Sequence, residues 1–468
     1  MTADIATPVR AGRRPAVVLL IVSAATFLVS LDLFIVNIAF PAIRETYPGT
    51  GLATLSWTLN AYTVAFAALL APAGRLADRY GRRLVFLAGV AVFTIGSTAC
   101  ALAPSIEALI AFRALQAVGG ALVTPTALAL LLAAFPPERR ARAVSVWAGV
   151  GGAAAALGPP LGGLLVELSW RLVFLVNVPL GLLALAFGRR VLTESRDASS
   201  GVPDLLGAVG LVTGVGAAVW ALVSAHDHGW GGAPVLTGFG VGAAGLFWVV
   251  RRSARHPVPL LDLAALRVPT FWLSCLAMLV FSTAFGSMLF GNVLFLTGLW
   301  HDSALAAGFA LTPGPLMVVL LSLTVCGPLV ARLGPGPVAA LGSLLFLAGS
   351  LVWLLRLGAT PDYAGALLPG QLLTGAGVAL VMSSLTGVVG LVLPPARWGA
   401  GSSMLNTSRQ LGSALGTAIL VAVLGPAPDL GAFRHGWLFL AGAALVSAAF
   451  AVAVAARRGS ADVLGATP

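Results

Sequence analysis

The sequence contains no lysine, and charged residues of either sign make up only 9% of its 468 positions. Soluble domains carry roughly 25% charged residues, so a soluble fold of this composition would expose a very large apolar surface. A lipid bilayer removes that difficulty because it is itself apolar, and hydrophobic residues make up 59% of the chain. The composition therefore favours a membrane protein and excludes a large soluble domain.

The chain also lacks the motifs of common enzymes and metal sites. It has no P-loop, no HExxH, no GxSxG and no cysteine–histidine constellation, and its three cysteines are scattered through apolar runs. The segment His226-Asp227-His228 has metal-binding residue types, but we interpret it as a solvated turn. We therefore expect no enzymatic activity, no cofactor and no metal, and any driving energy must come from an ion or substrate gradient.

Fourteen apolar runs follow one another along the chain, and most are about as long as the 20 residues that cross a bilayer as a helix. They fall at approximately 16–40, 53–73, 84–104, 108–133, 143–166, 171–188, 204–224, 235–250, 270–297, 306–330, 336–356, 364–393, 400–424 and 433–456. The segments between them are short and rich in glycine and proline. This pattern predicts an all-α polytopic membrane protein.

The placement of arginine predicts the orientation of these helices. Cytoplasmic loops carry an excess of basic residues, and with both termini in the cytoplasm 21 of the 27 arginines lie on that side. The exceptions are Arg44, Arg171, Arg356 and Arg434 on the outer side, and Arg113 and Arg409 inside runs. The net charge of +11 is thus spread over many small clusters rather than one patch, which argues against nucleic-acid binding. The arginine-, alanine- and glycine-rich composition favours a bacterial cytoplasmic membrane.

One short pattern occurs twice. Gly74–Gly81 follows the second run and Gly327–Gly334 joins the tenth run to the eleventh, with Gly, Leu, Arg and Gly at identical spacing. Both copies lie between the second and third helices of a six-helix unit, so we divide the chain into two bundles, 1–190 and 269–468, and a two-helix insert, 191–268. Repeats of this kind place substrate near the bilayer midplane between the halves. We expect a monomer, because both halves are in one chain.

Asp32 is the one acidic residue clearly inside an apolar run, and ionisable groups within a membrane are functional candidates by default. Counting about 1.5 Å per residue puts Asp32 and Arg113 at a similar depth in the outer half of the membrane. Burial disfavours the charged carboxylate, whereas a neighbouring arginine favours it. Balanced in this way, Asp32 would carry protons with Arg113 as its modulator. The alternative is a structural ion pair that never titrates.

Polar residues form two stripes at helical spacing, from Arg113 to Thr124 in the fourth run and from Asn406 to Thr417 in the thirteenth. Such stripes must face protein or water rather than lipid. We interpret them as walls of a substrate cavity, and the alternatives are helix–helix hydrogen bonds and lining without substrate contact. The cavity candidates from these stripes are Gln116, Thr124, Asn406, Arg409 and Gln410.

Glycine and proline concentrate in the fifth run, as Gly158-Pro159-Pro160 followed by Gly162 and Gly163. Small residues let helices approach closely, and proline kinks a helix by removing a hydrogen bond. Close packing is one interpretation of Gly158, Pro159, Gly162 and Gly163. The sharper hypothesis is a hinge that seals one side of the protein during alternating access.

The pattern from Gly74 to Gly81 predicts a short cytoplasmic loop. Its Asp78 has the chemistry to accept hydrogen bonds at a helix N-terminus, and Arg79 and Arg82 to pair with lipid phosphates or nearby acids. We interpret these five residues as a latch of a cytoplasmic gate. The alternative is a signal that only fixes topology.

These motifs resemble the major facilitator superfamily, and more closely its fourteen-span drug:proton antiporter branch, over nearly the whole chain. The matching segments are Leu31–Pro41, Gly74–Arg83, Arg113–Gly120, Gly158–Gly163, Trp170–Gly181 and Asn406–Gly416. The resemblance implies a fold of two six-helix bundles around a two-helix insert, a role for Arg113 in proton coupling, and Asn37 among the cavity residues. It also implies export of hydrophobic compounds, often antibiotics or dyes, against inward proton flow.

The second half departs from this pattern. Ala331 stands where Asp78 stands in the first half, and no clear acid lies inside its membrane runs. Branch members that export multivalent cations tend to have such an acid, so neutral, monocationic or anionic amphiphiles fit this chain better than dications.

The sequence thus predicts a proton-coupled antiporter that exports a hydrophobic small molecule across the bacterial cytoplasmic membrane. Its partners would be that substrate, protons and the lipid bilayer. Two alternatives remain open: a nutrient or metabolite importer on the same fold, and a non-transporting membrane sensor.

Overall fold

The computed structural model describes residues 15–196, 201–394 and 397–464, and every regular element in those ranges is helical. Fourteen of its helices are long and apolar enough to cross a membrane, which confirms the number predicted from the apolar runs. Both chain termini lie outside the described residues, as do the N-terminal arginines Arg10, Arg13 and Arg14 and the side chains of His226 and Asp227.

The first six spans and the insert follow in chain order. They are α1 Pro15–Thr46, α2 Leu52–Tyr80, α3 Arg82–Ala101, α4 Ile106–Ala134, α5 Pro137–Leu168, α6 in two pieces (Leu172–Leu175 and Asn177–Val191), α7 Leu205–His228 and α8 Ala233–Ser253.

A short 3₁₀ turn at Ala265–Arg267 leads into the last six spans. They are α9 Pro269–Gly298, α10 in three pieces (Ala304–Leu311, Pro313–Thr324 and Cys326–Leu333), α11 Pro335–Arg356, α12 Leu368–Val392 after a π-helical turn at Tyr363–Leu367, α13 Trp398–Leu424 and α14 Leu430–Leu464.

Within each group of six, the helices pack against one another. In the first group α4 contacts α2 and α3, while α1 contacts α5 and α6. In the second group α9 contacts α13 and α14, and α12 contacts α10 and α11. The two groups meet along two seams, α2 with α13 and α5 with α10. The inserted helices α7 and α8 pack on each other, and α7 lies against α2 and α13.

The insert is fastened internally by a buried acid. Asp204 precedes α7, and its Oδ1 accepts a hydrogen bond of 2.8 Å from the backbone N–H of Gly207. The same oxygen lies 2.5 Å from Nε of Arg252 in the last turn of α8. This pair therefore ties the start of one inserted helix to the end of the other.

The repeated pattern has the same local structure in both bundles. Helix α2 continues to Tyr80 and the last piece of α10 to Leu333, and each ends at a glycine with positive φ, Gly81 at 119° and Gly334 at 83°. A residue with a Cβ is strained in that region, so the second glycine of the pattern makes the turn. The loop predicted over Gly74–Gly81 is therefore wrong, since Gly81 alone separates α2 from α3.

Candidate functional site

Asp32 of α1 and Arg113 of α4 form an ion pair inside the first bundle. The Arg113 Nη1 lies 2.6 Å from the Asp32 Oδ2, and the two side chains are 1% and 0% exposed. The structure therefore brings together the two residues that the sequence placed at one depth. A charge at this position is costly without a partner, and each of these groups supplies the charge that offsets the other.

Gln116 completes the coordination of this pair. Its Nε2 donates to the Asp32 Oδ1 at 2.8 Å, and its Oε1 accepts from the Arg113 Nη1 at 2.6 Å. The Arg113 Nε donates at 2.9 Å to the backbone carbonyl of Thr58 in α2. Both carboxylate oxygens of Asp32 are thus occupied, and Arg113 connects three helices.

A second layer fixes the orientation of Gln116. Its Nε2 lies 3.2 Å from Oγ of Ser97 in α3, which donates to the carbonyl of Phe174 at 2.8 Å. Asn177 of α6 donates to the same Ser97 oxygen at 3.1 Å. Sequence reasoning missed Ser97. The feature of the sequence that could have identified Ser97 is a hydroxyl group within an apolar run, because such a group must form a hydrogen bond inside the protein.

Tyr62 of α2 covers the ion pair on its open side. Its ring centroid lies 4.3 Å from the guanidinium carbon of Arg113, a cation–π distance, and the side chain is 0% exposed. Tyr62 and Arg113 both line a central cavity, whereas Asp32 lies behind them. These two side chains are therefore the wall between the carboxylate and the cavity.

The cavity lies between the two bundles and has a volume of about 430 Å³. Helices α1, α2, α4 and α5 of the first bundle and α9, α10, α12 and α13 of the second contribute its walls. Most of the lining is apolar, including Phe34, Phe285 and Met288, and its charged residues are Arg113 and Arg409. A cavity of this size and polarity suits a hydrophobic small molecule held by a few polar groups.

Three of the predicted cavity residues, Asn37, Arg409 and Gln410, line this space. The others do not: Gln116 is fully buried behind Arg113, as described above. Thr124 donates to the carbonyl of Gly120 at 2.9 Å, and Asn406 to that of Ser402 at 3.1 Å. The polar stripes continue along their helices further than the cavity does, because a stripe also serves contacts between helices.

The structure adds lining residues that the stripes did not indicate. Gln371 and Thr374 of α12 and Asn292 of α9 face the cavity and are 3%, 2% and 7% exposed. Each interrupts an apolar run, which is the signal that could have identified them.

The glycines of α5 pack against two different helices. A Cβ added to Gly158 would lie 2.7 Å from the Phe34 Cβ of α1. A Cβ on Gly163 would lie 2.6 Å from the carbonyl oxygen of Ala304, in α10 of the other bundle. Gly308 of α10 in turn abuts the carbonyl of Pro159. This end of the α5–α10 seam is therefore a backbone-to-backbone contact that leaves no space for side chains.

Helix α5 continues through the prolines without a break. It is helical from Pro137 to Leu168, whereas α10 is divided at Thr312 and Val325. The kink expected at the prolines stays a prediction.

At the other end of the molecule, the residues around Gly81 bond within the first bundle. The Asp78 Oδ1 accepts from the Arg82 side chain at 3.0 Å, and both groups are about one third exposed. The N-terminus of α3 is capped by Glu194 instead of Asp78: its two carboxylate oxygens accept from the backbone N–H groups of Arg83 and Leu84, each at 3.0 Å. Sequence reasoning missed Glu194, which lies over a hundred positions away along the chain.

Replacing Glu194 by alanine should destabilise the start of α3 by about 1 kcal/mol, the usual effect of removing a helix cap. The loss should appear as a lower midpoint in thermal unfolding of the purified protein in detergent. Glu45→Ala, which removes an exposed carboxylate near the end of α1, is the matched control and should leave the midpoint unchanged. Equal effects of the two substitutions would contradict the capping role.

The family model described as the Major Facilitator Superfamily matches residues 22–301, which is more than half of the chain. The chain belongs to the Major Facilitator Superfamily. It is 35% identical over 411 residues to the tetracenomycin C resistance and export protein of Streptomyces glaucescens, covering 87% of this chain and 75% of that protein. It is 36% identical over 418 residues to a cephamycin export protein of Amycolatopsis lactamdurans, covering 87% and 84%.

A solved transporter structure shares the fold of this chain. A POT family transporter in complex with 5-aminolevulinic acid superimposes with a TM-score of 0.69 at 18% identity, over 94% of this chain and 96% of that one. The arrangement of helices is therefore shared with that transporter over nearly the whole chain.

Proposed function

We propose that this Major Facilitator protein exports a hydrophobic small molecule from bacteria in exchange for protons. The observation that carries the proposal is the ion pair of Asp32 and Arg113, wholly buried yet separated from a central cavity only by Arg113 and Tyr62. The names of its relatives, an antibiotic resistance and export protein and a cephamycin export protein, support export as the direction.

Proton coupling follows from the two charge states of Asp32. While the carboxylate is charged, it holds Arg113 by the 2.6 Å contact and keeps the guanidinium against Tyr62. A proton on Oδ2 removes the attraction that holds the guanidinium, so Arg113 is free to turn toward the cavity and its contents. Substrate and proton then compete for the same arrangement of Arg113, which is the differential interaction that coupling requires.

Alternating access in this proposal moves the bundle of residues 1–190 against that of 269–468, with 191–268 as an insert at the α2–α13 seam. Gly158, Pro159, Gly162 and Gly163 form the hinge and seal at one end. Gly74, Asp78, Arg79, Gly81 and Arg82 form the latch at the other end. The arginine distribution supports an orientation with both termini in the cytoplasm, and one chain with both bundles supports a monomer.

The test is transport by the full-length protein in lipid vesicles, with the pH gradient and the voltage imposed separately and a panel of hydrophobic dyes as probes. Asp32→Asn should abolish dye movement driven by the pH gradient, because an amide cannot carry the proton, while dye exchange down its own gradient continues. Asp204→Asn is the matched control: it removes an equally buried acid paired with an arginine, but in the insert. Full proton-driven transport by Asp32→Asn would overturn the assignment.

A further inference from the structure

Arg409 of α13 is a cavity residue that the coupling mechanism leaves unused. Its Nε is buried and has no hydrogen-bond partner among the described residues. No aspartate or glutamate occurs within the ranges of α9 to α13; the nearest acids along the chain lie in the connections, at Asp302, Asp362 and Asp429. Burying an arginine inside a membrane protein costs free energy unless another group offsets its charge. Arg409 therefore needs a partner that the described residues do not supply.

Two amides that line the same cavity also have atoms without a hydrogen-bond partner among the described residues. Gln371 is 3% exposed and neither atom of its amide has a hydrogen bond within the described part of the chain. Gln410 is 5% exposed, and its Nε2 has none either. Buried amides in native proteins almost always have partners, so three unsatisfied groups facing one cavity indicate a ligand. Their shared property is hydrogen-bond donation, which suits an oxyanion.

The charge of the cavity points the same way. Arg113 is neutralised by Asp32 at 2.6 Å, whereas Arg409 has no acidic neighbour of this kind among the described residues, so the described lining carries one uncompensated positive charge. The guanidinium fork matches the two oxygens of a carboxylate, and the aromatic and aliphatic residues around it suit an apolar body. We propose that Arg409, with Gln371 and Gln410, binds the carboxylate of a hydrophobic anionic substrate. This inference rests on the proposed function and deepens it.

An anionic substrate changes the electrical character of transport. Outward movement of one negative charge and inward movement of one proton displace charge in the same sense, so voltage drives both. A neutral substrate would leave only the charge of the proton. The voltage dependence of transport for an anion should accordingly exceed that for its neutral ester.

The experiment measures equilibrium binding of three radiolabelled probes to the full-length protein in lipid nanodiscs: naphthylacetate, its methyl ester and naphthylethylamine. We expect naphthylacetate to bind more tightly than the other two. Arg409→Gln should weaken its binding by about tenfold to a hundredfold, the size of a charge-assisted hydrogen bond, and leave binding of the ester within about twofold. Equal binding of all three probes, or no effect of Arg409→Gln on the carboxylate, would overturn the assignment.

Three controls test whether the effect of Arg409→Gln comes from misfolding, from a change in overall charge or from a bound inorganic ion. Unchanged ester binding reports that Arg409→Gln is folded, and Gln371→Leu, which alters no charge, should weaken naphthylacetate binding severalfold. Arg434→Gln removes an exposed arginine at the start of α14 and should have no effect. If lowering the chloride concentration, without adding another anion, strengthens Arg409-dependent binding of naphthylacetate more than tenfold and leaves binding of the ester unchanged, chloride is the resident ligand and the substrate assignment is wrong.

The outcome is independent of export, because binding needs no proton gradient. Carboxylate binding that depends on Arg409 in a protein that transports nothing would overturn the proposed function and leave this site standing. Proton-driven export with no preference for the anion would overturn the carboxylate site and leave the proposed function standing.

Discussion

Replacement of Arg113 by glutamine should destabilise the folded protein by roughly 3–5 kcal/mol, which is the cost of leaving a buried charge without its partner. The substitution removes the 2.6 Å ion pair and the 2.9 Å hydrogen bond to the Thr58 carbonyl, and it leaves Asp32 fully buried beside Gln116 alone. Unfolding of the purified protein in detergent, followed by helical circular dichroism at neutral pH, measures the loss.

Two further variants isolate the cause. Arg82→Gln breaks the pair with Asp78, which is about one third exposed, and should change stability by no more than about 1 kcal/mol. The double substitution Asp32→Asn with Arg113→Gln removes both charges and should recover most of the loss, since no lone charge remains. Equal losses of stability for Arg113→Gln and Arg82→Gln would show that burial of the Asp32–Arg113 pair does not affect the free energy of unfolding.

Replacement of Gly163 by valine should open the end of the α5–α10 seam. The added Cβ would lie 2.6 Å from the Ala304 carbonyl oxygen and 2.8 Å from the Leu305 Cα, both backbone atoms that cannot turn aside. Overpacking of this kind costs about 1–3 kcal/mol, and only the state in which the seam is closed would bear that cost. The equilibrium should therefore shift by about fivefold to 150-fold toward the state open at that end.

Cysteine accessibility measures this shift. A Ser413→Cys reporter on the cavity wall should react faster with a membrane-impermeant maleimide supplied on the side where α5 ends, while the native Cys100, Cys275 and Cys326 are buried. Gly149→Val is the matched control on the same helix, because a Cβ there meets nothing within 4 Å. An unchanged reaction rate in Gly163→Val would contradict the role of this contact as a seal.

Much of the fold was predictable from local features of the sequence. Apolar runs identified all fourteen spans, although α2 continues to Tyr80, well past the end of its run at 73, because charged residues at a membrane surface do not interrupt helical bonds. Counting residues along helices also placed Asp32 and Arg113 at one depth. The depth of a residue in the membrane depends only on its position along its own helix, so it can be read from the sequence.

The sequence predicted less well which neighbours a side chain has at its depth in the membrane. Gln116 was expected on the cavity wall and instead bridges Asp32 and Ser97, and Tyr62 covers Arg113. Which of two adjacent polar faces meets the cavity depends on helix rotation and on neighbours from α2 and α3. That information arises only when helices pack.

The scarcity of charge, the fourteen apolar runs, the repeated glycine pattern and one acid inside the membrane were determined by the sequence itself. Each of these features depends on the free energy of placing a residue in lipid or on the conformations that its own backbone allows. It can therefore be inferred without knowing which residues pack around it. The tertiary structure alone decided that Asp32 lies behind Arg113 and Tyr62, and that Arg409 Nε, the Gln371 amide and Gln410 Nε2 have no hydrogen-bond partner among the described residues around one cavity. Hydrogen bonds and ion pairs join residues distant along the chain, and their formation depends on a few ångströms of helix position.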